Sequence, residues 1–253
     1  VSPAGQITFE VQGHNCQGIR GESLLDALRR CGFEVPALCH HPGVKPYGAC
    51  RLCLVEVRKG RRRRLVTSCD YPLEEGLQVF LDTEKVMANR RMVLRLLLAM
   101  APGAPRIRRL AAEHGVGPAG LESVSGGDNC ILCGLCVRVC REVVGAEALS
   151  LAGRGLRRDL GDRPFGDFPE SCIGCGACAQ VCPTGAISME EIAVSKLKER
   201  WGERRPCRYA LMGLTPGALC ENDYECWRCE VDQRMVDRAA GRHPVFLKLE
   251  ERR

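Results

Sequence analysis

Cysteines at fixed spacings dominate the chemistry open to this chain. Cys130, Cys133, Cys136 and Cys140 form a C-x2-C-x2-C-x3-C run, and Cys172, Cys175, Cys178 and Cys182 repeat it with Pro183 directly after. Runs of this spacing ligate cubic 4Fe-4S clusters, whose chemistry is the transfer of single electrons. A random chain almost never produces the run twice. A second pattern, Cys39-x10-Cys50-x2-Cys53-x15-Cys69, precedes them, and a third, Cys207-x12-Cys220-x5-Cys226-x2-Cys229, follows. Each offers four thiols with one C-x2-C pair, which suits either tetrahedral zinc or an iron-sulfur cluster. For the third set, three readings stay open: unused cysteines, a structural zinc, or a further cluster. Cys16 and Cys31 fall outside every pattern and read as small apolar core residues.

The elements that would position these sulfurs can be traced. Gln6 to Val11 alternates as a strand does, and Ser23-Leu24-Leu25-Asp26 is a capping signal for a short helix through Arg30. The prolines in Pro36-Ala37-Leu38-Cys39-His40-His41-Pro42-Gly43 demand a loop. Leu54-Val55-Glu56-Val57 and Leu65-Val66-Thr67 flank Arg61-Arg62-Arg63-Arg64, which predicts a hairpin with the arginines in a solvated turn. Thr83 caps an expected helix to about Met100, with Val86, Met87, Val93, Leu94, Leu97 and Leu98 on one face and arginines over much of the other. Pro102 and Pro105 would end it. Gly134 and Gly176 follow the second thiolate of their runs and permit a tight wrap around a cluster. Small residues beside the ligands let backbone N–H groups approach sulfur, and apolar residues between them exclude water.

Composition narrows the classes. The chain has 253 residues and 18 cysteines, with only 5% aromatic residues, which suits small domains built around inorganic cores. A disulfide scaffold would go with a secretory leader, and Val1-Ser2-Pro3-Ala4-Gly5-Gln6 does not resemble one. The most apolar stretch, Val93 to Ala101, is interrupted by Arg95 and too short to span a bilayer. A cytoplasmic location and no membrane span are expected. The formal charge of +6 counts every cysteine as neutral, so thiolate ligation would lower it. Aromatic residues do not interleave with the arginines, which argues against nucleic acid. Gly115-x-Gly117-x-x-Gly120 matches a dinucleotide fingerprint formally, but it follows a helical segment and contains Pro118, so it reads as a loop.

Taken together, these motifs resemble known families. The segments Leu38 to Gly43, Gly48 to Val57 and Val66 to Cys69 resemble the 2Fe-2S ferredoxin domain of complex I's large iron-sulfur subunit. The same domain occurs in the iron-sulfur subunits of NAD-linked hydrogenases and in some formate dehydrogenases. The resemblance implies a β-grasp fold with one 2Fe-2S cluster on Cys39, Cys50, Cys53 and Cys69, and it decides that site against zinc. The two later runs resemble bacterial ferredoxins, with Arg141 standing where many of those have proline. There the fourth cysteine of each run crosses to the other cluster. That rule implies one 4Fe-4S cluster on Cys130, Cys133, Cys136 and Cys182, and another on Cys172, Cys175, Cys178 and Cys140. Ala148 to Gly155 and Arg163 to Gly166 also resemble the hydrogenase-type subunit. A His/Cys3 cluster common in that family has no counterpart. No cysteine lies between Cys69 and Cys130, and His114 alone is read as a surface residue.

The expected class is therefore α+β. A 2Fe-2S β-grasp domain (1–81), a connecting helix and linker (82–124), a two-4Fe-4S ferredoxin domain (125–192) and a C-terminal extension (193–253) bearing Cys207, Cys220, Cys226 and Cys229 follow in order. The resemblance implies an iron-sulfur subunit that passes electrons between a flavin subunit handling NAD(P)H and a catalytic subunit, a nickel-iron hydrogenase first of all. Electron-bifurcating complexes belong to the same group. Catalytic centres are expected on other subunits, and no residue of this chain is expected to be catalytic. Two alternatives remain at this stage, the same relay in an NAD-linked formate dehydrogenase and a free-standing ferredoxin-like carrier.

Overall fold

The computed structural model describes residues 5–117, 129–161, 169–187 and 197–250. They belong to two compact units, one of Val1–His40 with Pro46–Cys133 and one of His41–Lys45 with Gly134–Arg253.

The first unit is built on a five-stranded sheet of order β2-β1-β5-β3-β4. Strands β1 (Gln6–Val11) and β2 (His14–Ile19) pair antiparallel, as do β3 (Leu54–Lys59) and β4 (Arg62–Thr67). The short β5 (Gln78–Phe80) joins the two hairpins, parallel to β1 and antiparallel to β3. Helix α1 (Leu24–Arg30) packs on this sheet, giving a β-grasp arrangement. Alternation in β1 sends Ile7, Phe9 and Val11 inward, where they meet Leu24, Leu25 and Leu28 of α1 and Val55, Val57 and Val79 of the sheet. Ser23 caps α1 as expected, its Oγ accepting from the Asp26 N–H at 3.1 Å.

The arginine run is placed differently from the expectation. The turn is confined to Gly60 and Arg61, while Arg62, Arg63 and Arg64 lie on β4. The backbone twist of a two-residue hairpin needs only the glycine, so the strand extends through the charges. Aromatic partners hold them there. Arg63 stacks over Phe80 with its guanidinium carbon 4.9 Å from the ring centre, and Arg64 over Tyr71 at 5.2 Å. Because β4 is an edge strand, these cations also discourage sheet extension.

Helix α2 (Glu84–Met100) begins at Thr83, whose Oγ1 accepts from the Val86 N–H at 3.2 Å. Its buried stripe is Val86, Arg90, Leu94 and Leu97. Arg90 is the departure: an arginine expected on the solvent face is 6% exposed in the middle of the apolar stripe. Pro105 begins a further helix rather than only ending one, at the first position of α3 (Pro105–Glu113). His114 is half-buried rather than a free surface residue, and its Nδ1 lies 2.9 Å from the Leu110 carbonyl at the end of α3. Of the glycine motif that follows, Gly115 and Gly117 are described, and Pro118 and Gly120 lie outside the described residues.

In the second unit, α4 (Leu135–Val139) runs into a π-helical turn (Cys140–Val144), and α5 (Ala177–Val181) repeats the geometry of α4. Both helices start from a glycine in the left-handed region, Gly134 at φ 66° and Gly176 at φ 82°. A small β6–β7 ribbon (Ser150–Ala152 and Asp159–Gly161) lies between them in sequence. The C-terminal extension adds α6 (Arg208–Leu211), α7 (Glu230–Ala239) and a 3-10 segment (Pro244–Leu249). That last segment buries Phe246, stacked on His41 with ring centres 4.3 Å apart.

Candidate metal centres

Cys39, Cys50, Cys53 and Cys69 come from three loops around the β3–β4 hairpin, and all are at most 5% exposed. Cys39 follows the proline-rich loop, Cys50 and Cys53 lead into β3, and Cys69 follows β4. The loops lock one another in place. The Cys50 N–H donates to Cys39 Sγ at 3.4 Å, and the Leu38 N–H donates to Cys50 Sγ at 3.4 Å. Ser68 ties Cys69 back to Cys53, donating from both N (3.0 Å) and Oγ (2.8 Å) to the Cys53 carbonyl.

The four thiols form a run of contacts, Cys50 to Cys39, Cys39 to Cys69 and Cys69 to Cys53. Hydrogen bonds from Cys50 and Cys69 pull the Cys39 thiol down to about 2, and one from Cys69 holds Cys53 at about 7. The donors move the opposite way, Cys50 and Cys69 both being raised first by these same contacts and then by burial. Four buried sulfurs crowded together are suited to ligating a cationic centre, which would neutralise them as thiolates. This donor set fits a 2Fe-2S cluster, which supplies one-electron chemistry when bound.

Sequence reasoning missed two neighbours of this site. Arg90 donates to the Leu54 carbonyl at 2.9 Å and the Leu81 carbonyl at 3.4 Å. Burial lowers its pKa, while the nearby charges of Cys53 and then Asp82 work to hold its proton. His40, beside Cys39, has a 3% exposed side chain whose Nε2 lies 2.9 Å from Asp26 Oδ1. The periodicity of α2 marked position 90 as inward, which was the available signal for Arg90.

In the second unit, Cys140 enters from the π-helical turn while Cys172, Cys175 and Cys178 enter from the second run and α5. Burial raises the thiols of Cys140 and Cys172, takes Cys175 to about 11 and Cys178 to about 12, and the last three all feel the charge of Cys140. Cys172 and Cys178 pack against the core that contains Cys140, and so does Cys136 of the first run. The Ala148 N–H donates to Cys140 Sγ at 3.3 Å. His243 supports the loop from behind. Its Nδ1 accepts from the Val245 N–H at 3.2 Å, which leaves Nε2 as the donor to the Cys175 carbonyl at 2.8 Å, and burial favours this neutral form.

Of the other quartet, Cys130 and Cys133 belong to the first unit and Cys136 and Cys182 to the second. The Leu132 N–H donates to Cys130 Sγ at 3.4 Å. Cys207, Cys220, Cys226 and Cys229 all lie in the second unit, half-buried. Cys16 is buried as expected, but Cys31 is only half-buried, and the two thiols contact each other.

Fold and ligand sets together define an iron-sulfur protein of the α+β class. Residues 4–84 match the model of a 2Fe-2S iron-sulfur cluster binding domain, and residues 167–188 match a 4Fe-4S binding domain. The chain is 30% identical over 207 residues to an NADH-quinone oxidoreductase chain of Rhizobium meliloti, covering 72% of this chain and 24% of that protein. It is 29% identical over 204 residues to the NADPH-Fe(3+) oxidoreductase subunit alpha of Geobacter sulfurreducens, with the same coverage of 72% and 24%. A crystal structure of an NAD+-reducing [NiFe]-hydrogenase in the H2-reduced state superposes with a TM-score of 0.60 at 28% identity, over 73% of this chain and 88% of the hydrogenase chain. The resemblance to iron-sulfur subunits of complex I and of NAD-linked hydrogenases is borne out. The chain spans about a quarter of the length of the curated relatives it matches.

Proposed function

We propose that this chain is an electron relay within an NAD(P)H-linked oxidoreductase complex, accepting or donating single electrons between a flavin-bearing NAD(P)H subunit and a catalytic subunit. The observation that supports this reading is a 2Fe-2S domain at residues 4–84 and a 4Fe-4S domain at residues 167–188 in one chain, for which we propose Cys39, Cys50, Cys53 and Cys69, and Cys140, Cys172, Cys175 and Cys178, as ligands. Cys130, Cys133, Cys136 and Cys182 would hold the second 4Fe-4S cluster. A chain that carries clusters of two kinds is suited to passing single electrons. The similarity to a chain of an NAD+-reducing [NiFe]-hydrogenase favours a nickel-iron hydrogenase as the catalytic partner. Among the described residues, no helix is long and apolar enough to cross a membrane. A cytoplasmic complex is the setting we propose.

The first test is anaerobic isolation of the native complex with assay of co-purifying metals and flavin. Nickel with flavin is expected. Molybdenum or tungsten with flavin would move the relay to a formate dehydrogenase, and the chain alone, fully loaded with iron, would make it a carrier. The second test is Cys50→Ser, which should leave the 4Fe-4S signals intact and abolish NAD(P)-linked turnover through the 2Fe-2S arm. Unchanged turnover would remove that arm from the path.

A further inference from the structure

A cavity of about 630 Å3 lies wholly within the first unit, walled by the loop after α1, by Arg90 of α2 and by one side of α3. Sites for small molecules commonly enclose roughly 300–1,000 Å3, so the space suits a compact organic ligand. Neither the cluster ligands nor the sheet uses it.

Its lining is cationic. Three guanidinium groups reach it from three separate elements: Arg29 in the last turn of α1, Arg90 in α2 and Arg106 in the first turn of α3. Two carboxylates stand against them, Glu34 and Glu113. Glu113 is already drawn to Arg109, a residue outside the cavity, its Oε1 lying 3.7 Å from the Arg109 Nε. His114 spends Nδ1 on the Leu110 carbonyl at 2.9 Å.

The arginines have donors to spare. Arg29 and Arg106 are exposed, and Arg106 reaches the Ala37 carbonyl through one Nη2 at 3.5 Å, a long bond that commits little of its fork. Arg90 is the more telling case. Its Nη2 is used on the Leu54 and Leu81 carbonyls, and its Nη1 meets the Met87 sulfur at 3.8 Å. Its Nε is buried with no hydrogen-bond partner. A buried charged donor left unpaired has lost water and gained nothing in return. An acceptor entering from the cavity would satisfy it.

The remaining wall is apolar, through Phe33, Pro36 and Leu110. The ligand that matches both parts has an anionic head and an apolar body. A phosphate monoester offers three acceptor oxygens to forks arriving from three elements, whereas a carboxylate is filled by one bidentate fork.

We propose that this cavity binds a small phosphomonoester with an apolar body, its phosphate held by Arg29, Arg90 and Arg106. Binding there acts on the 2Fe-2S site. Arg90 donates to the carbonyl of Leu54, the residue that follows Cys53. A phosphate beside Arg90 offsets its positive charge, and reduction adds an electron to the cluster, so the bound ligand lowers the cluster's potential. By linkage, reduction of the cluster loosens the ligand. This goes beyond the relay reading and does not depend on it.

The test uses the full chain, loaded with its clusters and purified without oxygen in phosphate-free buffer. Phenyl phosphate is the probe, titrated by calorimetry, with benzoate and phenol as comparators. One molecule should bind per chain, and Arg29→Ala and Arg106→Ala should each weaken binding roughly tenfold or more, as the loss of one charge-assisted contact requires. Arg108→Ala, an exposed arginine of α3 outside the cavity, should bind as the wild type does. No saturable binding would overturn the proposal, and so would equal weakening in all three variants, which would mean diffuse surface charge. Benzoate binding tighter than phenyl phosphate would overturn the assignment to phosphate, and phenol binding as tightly would remove the role of charge. Redox titration followed by EPR gives the second readout, on the wild type alone. Saturating phenyl phosphate should lower the 2Fe-2S midpoint potential and leave the 4Fe-4S potentials in place. An unmoved 2Fe-2S potential would overturn the placement of the phosphate at Arg90. Failure of the relay reading would show instead in the turnover of Cys50→Ser.

Discussion

Arg90 shows how one side chain can serve packing and redox chemistry together. Its guanidinium is buried against the Leu54 and Leu81 carbonyls, on the side of β3 that follows Cys53. A fixed positive charge in a poorly solvated setting favours the more negative, reduced state of a nearby cluster. Arg90→Met should therefore lower the 2Fe-2S midpoint potential by tens of millivolts, on the order expected for one charge in an effective dielectric near 20. Arg90→Lys should restore most of the potential. Redox titration followed by EPR measures both, and equal potentials in all three proteins would confine Arg90 to packing. The methionine variant should also lose roughly 1–3 kcal/mol of stability, because two carbonyls forfeit their donor.

At the level of elements, helix ends and turns set the ligand geometry. Thr83 caps α2 through the Val86 N–H and donates to Glu56 Oε2 at 2.9 Å, which joins the helix start to β3. Thr83→Ala should cost about 1 kcal/mol, or up to about 2 with the Glu56 bond included, in chemical denaturation. Gly176 begins α5 between two ligands at φ 82°. Gly176→Ala forces an L side chain into the left-handed region, at roughly 1–2 kcal/mol. Because the strain falls between Cys175 and Cys178, iron occupancy after anaerobic reconstitution should fall for the 4Fe-4S sites and stay full for the 2Fe-2S site. Equal occupancy at both would mean the loop relaxes around the new side chain.

At the scale of the whole molecule, each unit has a small apolar core that takes in cysteines of its candidate sites, Cys53 and Cys69 in the first and Cys140 in the second. The C-terminal 3-10 segment belongs to the second unit's core through Phe246, 3% exposed and stacked on His41. Phe246→Ala should cost about 3–5 kcal/mol and open the C-terminal segment to proteases, read by limited digestion and mass spectrometry. Sequence alone determined what depended on local spacing. The cysteine runs, the Ser23 and Thr83 caps, the β1 alternation and the glycines after the second thiolates follow from chemistry within a few residues. Tertiary structure decided the rest. Helical spacing from Val86 and Leu94 puts position 90 on the inward stripe, but nothing local shows that an arginine can stay there, because its burial depends on two carbonyls brought by β3 and the segment after β5. The helix at Pro105 was passed over although Ile107 and Ala111 lie on one face of an otherwise polar segment: a proline that ends one helix and one that occupies the first turn of the next look alike in sequence. Arg62 to Arg64 read as a turn because charge run and loop look alike in sequence, and the rings of Phe80 and Tyr71 that keep them on a strand come from distant positions. Spacing could nominate Cys207, Cys220, Cys226 and Cys229 but not the framework around them, since the Tyr209–Asp232 and Tyr224–Pro206 hydrogen bonds and the Pro206–Leu219 bridge exist only once the chain has folded.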